Sequence, residues 1–249
     1  MIVIKSREEI ERMKKPGRLV AEVLEMIRVH IRPGENTAYL DGIIEEFFSQ
    51  NHAIPSFKGY GGFPFSSCIS VNEVVIHGLP DRNRVLMEGD LVSIDVGAYV
   101  DGFHGDAART YSVGQASEEA NRLMTVTQEA LELGIRELDK MERLGNVSYA
   151  IQTYVEGQGF SIIREYVGHG IGKDLHESPQ IPNYGFPNRG IRLRKGMTLA
   201  IEPMVSAGDW RTEVLDDGFT AVTVDRSLAA HYEDTVALTE NGVEILTRL

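Results

Sequence analysis

Hydrophobic and polar positions change period several times along the chain, and the changes outline its elements. Ser6 with Glu9 three residues later forms a capping-box pattern, so a helix is predicted to start there. Pro16-Gly17 is predicted to break or kink it. Leu19, Val20, Val23, Leu24 and Ile27 then recur at helical spacing, and Pro33-Gly34 ends the element. Thr37 reads as the N-cap of a second helix reaching about Phe48. Pro55 to Pro64, rich in glycine and aromatics, reads as a loop. Strands are predicted near Cys68–Val71, Asp90–Tyr99 and His104–Val113, the last two joined as a hairpin through Asp101-Gly102.

The pattern then repeats. Helices are predicted from about Glu118 to Leu138 and Val147 to Glu156, with a strand near Phe160–Tyr166. Further strands are predicted at Thr198–Val205, Phe219–Val224 and Ala230–Leu238. Asn36-x-x-Tyr39 followed by Gly59-Tyr60-Gly61 is echoed by Asn146-x-x-Tyr149 and Gly168-His169-Gly170. No low-complexity segment or linker separates the halves. The expectation is a single α+β domain spanning 1–249, made of two related halves about a pseudo-two-fold, with an antiparallel sheet core flanked by helices.

Acids repeat within this frame. Gly89 and the apolar run that ends in Asp95 match Gly196 and the run that ends in Glu202. His104-Gly105-Asp106 likewise matches His231-Tyr232-Glu233. With Asp101-Gly102 as the turn, Asp95 faces Ala108 and Asp106 faces Gly97. Asp95 and Asp106 are then diagonal neighbours on one face, with Cβ atoms ~7 Å apart, suited to ions ~3.5–4 Å apart. An acid at the end of an apolar strand is costly to desolvate unless a positive partner meets it, and a metal pair is the simplest partner. His169, between two glycines after a predicted strand, is a candidate nitrogen ligand. Four carboxylates and one imidazole make a hard set that favours manganese, iron or cobalt, with zinc a further candidate. The second hairpin carries about 20 more residues than the first, roughly Ser206–Ala229.

Composition narrows the partners. A formal net charge of -12 over 249 residues argues against generic binding to DNA or to an anionic membrane. One cysteine, Cys68, allows no internal disulfide and fits a reducing compartment. No signal-peptide core is seen at the N-terminus and no apolar run approaches the ~20 residues that span a bilayer, so a cytoplasmic location is expected. Gly168-x-Gly170-x-Gly172 is neither a dinucleotide fingerprint nor a phosphate loop, and His176-Glu177 lacks the second histidine of HExxH.

Taken in order, the motifs resemble the short bacterial type I methionine aminopeptidases over essentially the whole chain. They include Val71-Asn72-Glu73 with His77-Gly78-Leu79-Pro80, Asp101-Gly102-Phe103-His104-Gly105-Asp106, and Gly168-His169-Gly170-Ile171-Gly172. His176-Glu177-x-Pro179-Gln180, Ile201-Glu202-Pro203-Met204 and Tyr232-Glu233 complete the series. The resemblance implies the pita-bread fold and removal of the initiator methionine from nascent chains with a small second residue, by a metal-bound hydroxide in a dinuclear site. It implies Asp95, Asp106, His169, Glu202 and Glu233 as metal ligands, with Asp106 and Glu233 bridging. Glu202 would relay the proton, His176 would support the oxyanion, and His77 would hold the scissile amide. Phe57, Tyr60, Phe63, Cys68, Leu175 and Phe219 would form the methionine pocket.

Two departures accompany the match. Phe57, Phe63 and Phe219 differ from the commonest family residues, and Asp234 stands where many relatives carry histidine, an extra acid expected to shift metal affinity. Relatives meet the ribosome partly through basic residues of the inserted loop. Here five acids (Asp209, Glu213, Asp216, Asp217, Asp225) against two arginines (Arg211, Arg226) leave it at -3. Only weak, transient ribosome association is expected by that route. The family also suggests a monomer. The competing readings are a proline-specific pita-bread peptidase, which usually adds an N-terminal domain, and a non-catalytic pita-bread binding protein, which loses ligands.

Overall fold

The computed structural model describes residues 1–249. In the first half, α1 (Arg7–Ile27) and α2 (Thr37–Gln50) precede β1 (Ile54–Pro55), β2 (Ser67–Val71), β3 (Val74–Ile76), β4 (Leu91–Val100) and β5 (Phe103–Ser112). In the second, α3 (Glu118–Asp139) and α4 (Leu144–Gly157) precede β6 (Ser161–Ile162), β7 (Gly168–Gly170), β8 (Glu177–Ile181), β9 (Thr198–Ile201) and β10 (Met204–Ser206). There follow β11 (Thr212–Val214), β12 (Ala221–Thr223), β13 (Ala229–His231), β14 (Asp234–Thr239) and β15 (Gly242–Ile245). No helix is long and apolar enough to cross a membrane.

The two halves share a sheet plan. The antiparallel order β2-β4-β5 in one corresponds to β7-β9-β14 in the other. Helices cover one face of each. Val20, Val23, Leu40 and Ile44 pack over Ile94 and Val96, while Leu123, Leu131, Val147 and Ile151 pack over Leu199 and Val236. The halves meet along β5 and the β13–β14 segment. Glu233 donates its backbone N–H to Ala108 at 2.9 Å, and the Thr110 hydroxyl bridges the His231 backbone at 2.8 and 2.9 Å. The Thr235 hydroxyl does the same for Asp106.

The β4–β5 register is the expected one: Val100 opposite Phe103, Asp95 opposite Ala108, Gly97 opposite Asp106. Other elements differ from expectation for identifiable reasons. The capping box at Ser6 forms, yet α1 runs unbroken through Pro16. Proline removes one helical hydrogen bond. Tertiary contact holds the helix regardless: a Cβ on Gly105 of β5 would sit 2.7 Å from the Gly17 nitrogen, and one on Gly17 would meet the Leu246 carbonyl at 2.3 Å. Only glycines allow the three backbones to cross this closely. The N-cap of α2 is Asn36, whose side chain accepts from Tyr39 N at 2.9 Å, because the Thr37 hydroxyl is engaged with Asp81. Asn146 is not its counterpart, since it lies inside α4 and bonds to Glu142.

The strand predicted over 160–166 shrinks to Ser161–Ile162. The strands predicted over 198–205 and 230–238 are each divided. Pro203 has no N–H for a ladder, so the chain leaves β9 after Ile201 and resumes as β10 in a different sheet. β13 and β14 divide in step. The segment after β10 reaches back to the first half, where β12 pairs with β3 just ahead of His77.

Candidate metal centre

The inner faces of the two hairpins close on one cavity of about 240 Å³. Asp95 and Asp106 reach it from β4 and β5. Glu202 and Glu233 reach it from the two strand breaks, where the registers on either side set them across from each other. His169 enters from β7. The ligand atoms of Asp106, His169 and Glu233 all lie within 4.8 Å of one another. His169 Nε2 is 3.9 Å from Asp106 Oδ2 and 3.6 Å from Glu202 Oε1.

The imidazole has a defined orientation. His169 Nδ1 lies 2.9 Å from the Gly170 carbonyl, which can only accept, so Nδ1 carries the proton and the Nε2 lone pair faces the carboxylates. Burial, helped by nearby His176, pulls the His169 pKa down to about 4, so the ring is a neutral donor at neutral pH.

Charge in this cluster is unbalanced. Asp95 Oδ1, Asp106 Oδ1 and Glu233 Oε1 are buried without a hydrogen-bond partner. Burial lifts the Asp95 carboxyl to about 7 and pushes those of Asp106, Glu202 and Glu233 well above the usual range, with repulsion from neighbouring acids the next cause for these three. Buried carboxyls with open oxygen lone pairs, which an incoming cation would deprotonate, and a neutral imidazole facing them fit divalent cations in both charge and donor type.

Apolar side chains form the other end of the cavity. Phe57, Phe63, Cys68 and Leu175 are buried, and half-buried Phe219 meets Phe63 edge-on at 5.5 Å. Burial pushes the Cys68 thiol well up, so it stays protonated and acts as a small apolar group. Tyr60 stands at the exposed mouth and its hydroxyl lies 2.7 Å from His176 Nδ1. His77, in a left-handed conformation at φ 57°, follows β3, and its ring meets Tyr166 edge-on. Every site residue predicted from the sequence thus lines this one cavity.

Two neighbours, His231 and Asn183, escaped the sequence reading. His231 is buried with Nε2 3.7 Å from Glu202 Oε2, and burial holds its pKa near 3. Its match to His104 in the repeat was the available signal. Asn183 donates to the Glu202 carbonyl at 2.9 Å, and nothing in the sequence marked it. Asp234, the extra acid expected to shift metal affinity, is bound by Arg109, Thr247 and Arg248, and its charge still helps to raise the Glu233 carboxyl.

Comparisons with known proteins agree with this geometry. The model of metallopeptidase family M24 matches residues 11–240. The chain is 53% identical to methionine aminopeptidase 1 of Bacillus subtilis over 249 residues, covering 100% of both. It is 52% identical to the methionine aminopeptidase of Clostridium acetobutylicum over 247 residues, 99% of each. The crystal structure of the Thermotoga maritima methionine aminopeptidase superposes with a TM-score of 0.98 at 54% identity, covering 100% of both chains. The Pyrococcus furiosus prolidase shares the fold at a TM-score of 0.78 and 24% identity, over 99% of this chain and 66% of that one.

Proposed function

The chain belongs to metallopeptidase family M24 and, within it, to the methionine aminopeptidases, and on that footing we propose that it removes methionine from nascent chains whose second residue is small, using two divalent ions. Its α+β pita-bread fold is the one its neighbours share. The observation that carries the finer reading is the set of partnerless carboxylate oxygens at the end of an apolar cavity.

In this proposal Asp95, Asp106, His169, Glu202 and Glu233 would hold the ions. The oxygen-rich set favours manganese, iron or cobalt. When bound, the ions supply a hydroxide at neutral pH and polarise the scissile carbonyl. The chain's own residues do the rest. Phe57, Phe63, Cys68, Leu175 and Phe219 receive the methionine side chain, which is apolar and adaptable. Glu202 accepts a proton at a carboxylate oxygen and returns it to the leaving amine. With the Tyr60 hydroxyl as donor to His176 Nδ1, the ring would carry its proton on Nε2 and offer it to the developing oxyanion. His77 holds the scissile amide. The rings of Tyr60, His77 and His176 crowd the mouth, where a large second side chain would meet them. Both halves supply ligands, so residues 1–249 act as one catalytic unit. The acidic inserted loop supports only weak contact with ribosomal RNA.

The test is methionine release from Met-Ala-Ser, Met-Leu-Ser and Ala-Pro peptides by protein stripped with chelator and restored with one ion at a time. Metal-dependent cleavage of Met-Ala-Ser alone is expected. Equal cleavage of Met-Leu-Ser would overturn the small-residue rule, and release without added ion after complete stripping would overturn the metal reading.

A further inference from the structure

Asp234 follows Glu233 directly and is fully buried, yet no step of the chemistry uses it. Its Oδ1 accepts from Arg109 Nη2 at 2.6 Å and from the Thr247 hydroxyl at 2.8 Å. Its Oδ2 accepts from Arg248 Nε at 2.9 Å and Nη2 at 2.6 Å. Both lone-pair sets of the carboxylate are therefore committed away from the metal centre. Arg109 uses its second arm differently: Nη1 donates to the backbone carbonyl of Glu233 and, at 2.9 Å, to that of Ala108.

The result is one connected path. Arg109 belongs to β5 in the first half, Glu233 and Asp234 to the second, and Arg248 to the segment after β15. A guanidinium anchored by Asp234 clips the Glu233 carbonyl to the strand that carries Asp106. Arg248 closes the outer side and is itself paired with Glu132 at 2.5 Å. Glu233 lies at a break between strands, where its N–H bonds to the Ala108 carbonyl at 2.9 Å and its own carbonyl is held by Arg109 instead of a strand ladder.

We propose that Arg109 and Asp234, backed by Arg248, are positioning residues that set where Glu233 stands and thereby how tightly the site holds divalent ions. This rests on the reading of Glu233 as a ligand. Groups behind a ligand typically change metal affinity 10–100-fold when removed. The fork geometry of arginine suits the clip, because Nη2 meets the carboxylate while Nη1 meets the two carbonyls, whereas lysine gathers its three rotatable donors on one nitrogen.

The experiment titrates manganese(II) into the stripped full-length protein and follows heat. Cobalt(II) absorption is recorded alongside as a readout of ligand geometry. Asp234→Asn and Arg109→Lys are each expected to weaken manganese binding roughly 10–100-fold and to alter the cobalt spectrum. Arg109→Lys keeps the charge, so its loss reports geometry, and it carries the test if Asp234→Asn does not fold. Glu233→Gln separates the two readings. If Glu233→Gln binds manganese like the parent, the ligand reading fails. If Glu233→Gln loses binding while folded Arg109→Lys stays within about twofold of the parent and keeps its cobalt spectrum, the positioning role is overturned.

Discussion

Lys5 and Glu177 form an ion pair almost wholly out of water, their side chains 3% and 7% exposed, between the N-terminal segment and the residue that follows His176. Glu177 also accepts the Lys173 N–H at 3.0 Å, and Lys5 N donates to the Gly196 carbonyl at 2.7 Å. Lys5→Met keeps the length of the side chain and removes the cation, leaving a buried carboxylate with one backbone donor. Stranding one partner of a buried pair costs about 3–5 kcal/mol. At ~2–4 °C per kcal/mol for a chain of this size, the melting temperature should fall by ~6–20 °C. Replacing both partners with Lys5→Met and Glu177→Leu removes the stranded charge and should recover most of that loss. Differential scanning calorimetry of the metal-loaded parent, single and double variants measures this directly. The single variant should also lose kcat with manganese affinity unchanged, because the disturbed loop carries His176. A single variant within about 1 kcal/mol of the parent, or a double variant no better than the single, would refute the reasoning.

Glu202→Ala should lower kcat by about 10²–10⁴. In the metal-free state it should raise the melting temperature, because a buried, repelled carboxyl is gone; near-parent turnover in the loaded variant would remove the proton-transfer role. Because burial raises the site carboxyls, the metal-free protein carries protons there that an ion must displace. Apparent metal affinity should therefore climb as pH rises through about 7, the value for Asp95, with protons released. Calorimetry in buffers of different ionisation heat would measure that release, and an affinity flat between pH 5 and 8 would contradict the raised carboxyls. Phe219→Ala opens one wall of the apolar end, so kcat/KM on methionine peptides should drop about 10–100-fold with little change in melting temperature. A parent-like kcat/KM would take Phe219 out of the pocket.

The meeting of the site carboxylates was legible in the sequence because local rules determine it. A two-residue Asp101-Gly102 turn leaves one register for β4 and β5, and that register alone sets Asp95 and Asp106 as diagonal neighbours. The repeat then pointed to Glu202 and Glu233. What escaped depends on contacts far apart in the chain. Pro16 signals a break, but the crossing of Gly17 with Gly105 and Leu246 decides the outcome. Pro203 marks the break at Glu202 locally, but the passage into a second sheet there and at Glu233 is something no period-two pattern reveals. Asp234 was legible as an extra acid near the cluster, but not the arginines that hold it, because they lie 125 and 14 residues away.

The seam between the hairpins also divides the set of site residues along the chain. Asp95 and Asp106 lie before the exposed Gly114-Gln115 between β5 and α3, and His169, Glu202 and Glu233 lie after it, while β12 reaches back to β3. Cut genetically there, each piece would hold its own helix-covered sheet but only part of a chelating set. Two fragments would then have reason to find each other, with β3–β12 pairing as the first handhold and the ions as the fastener. Co-produced fragments would recombine in proportion to free metal, which would make this fold a split reporter whose reassembly counts divalent ions.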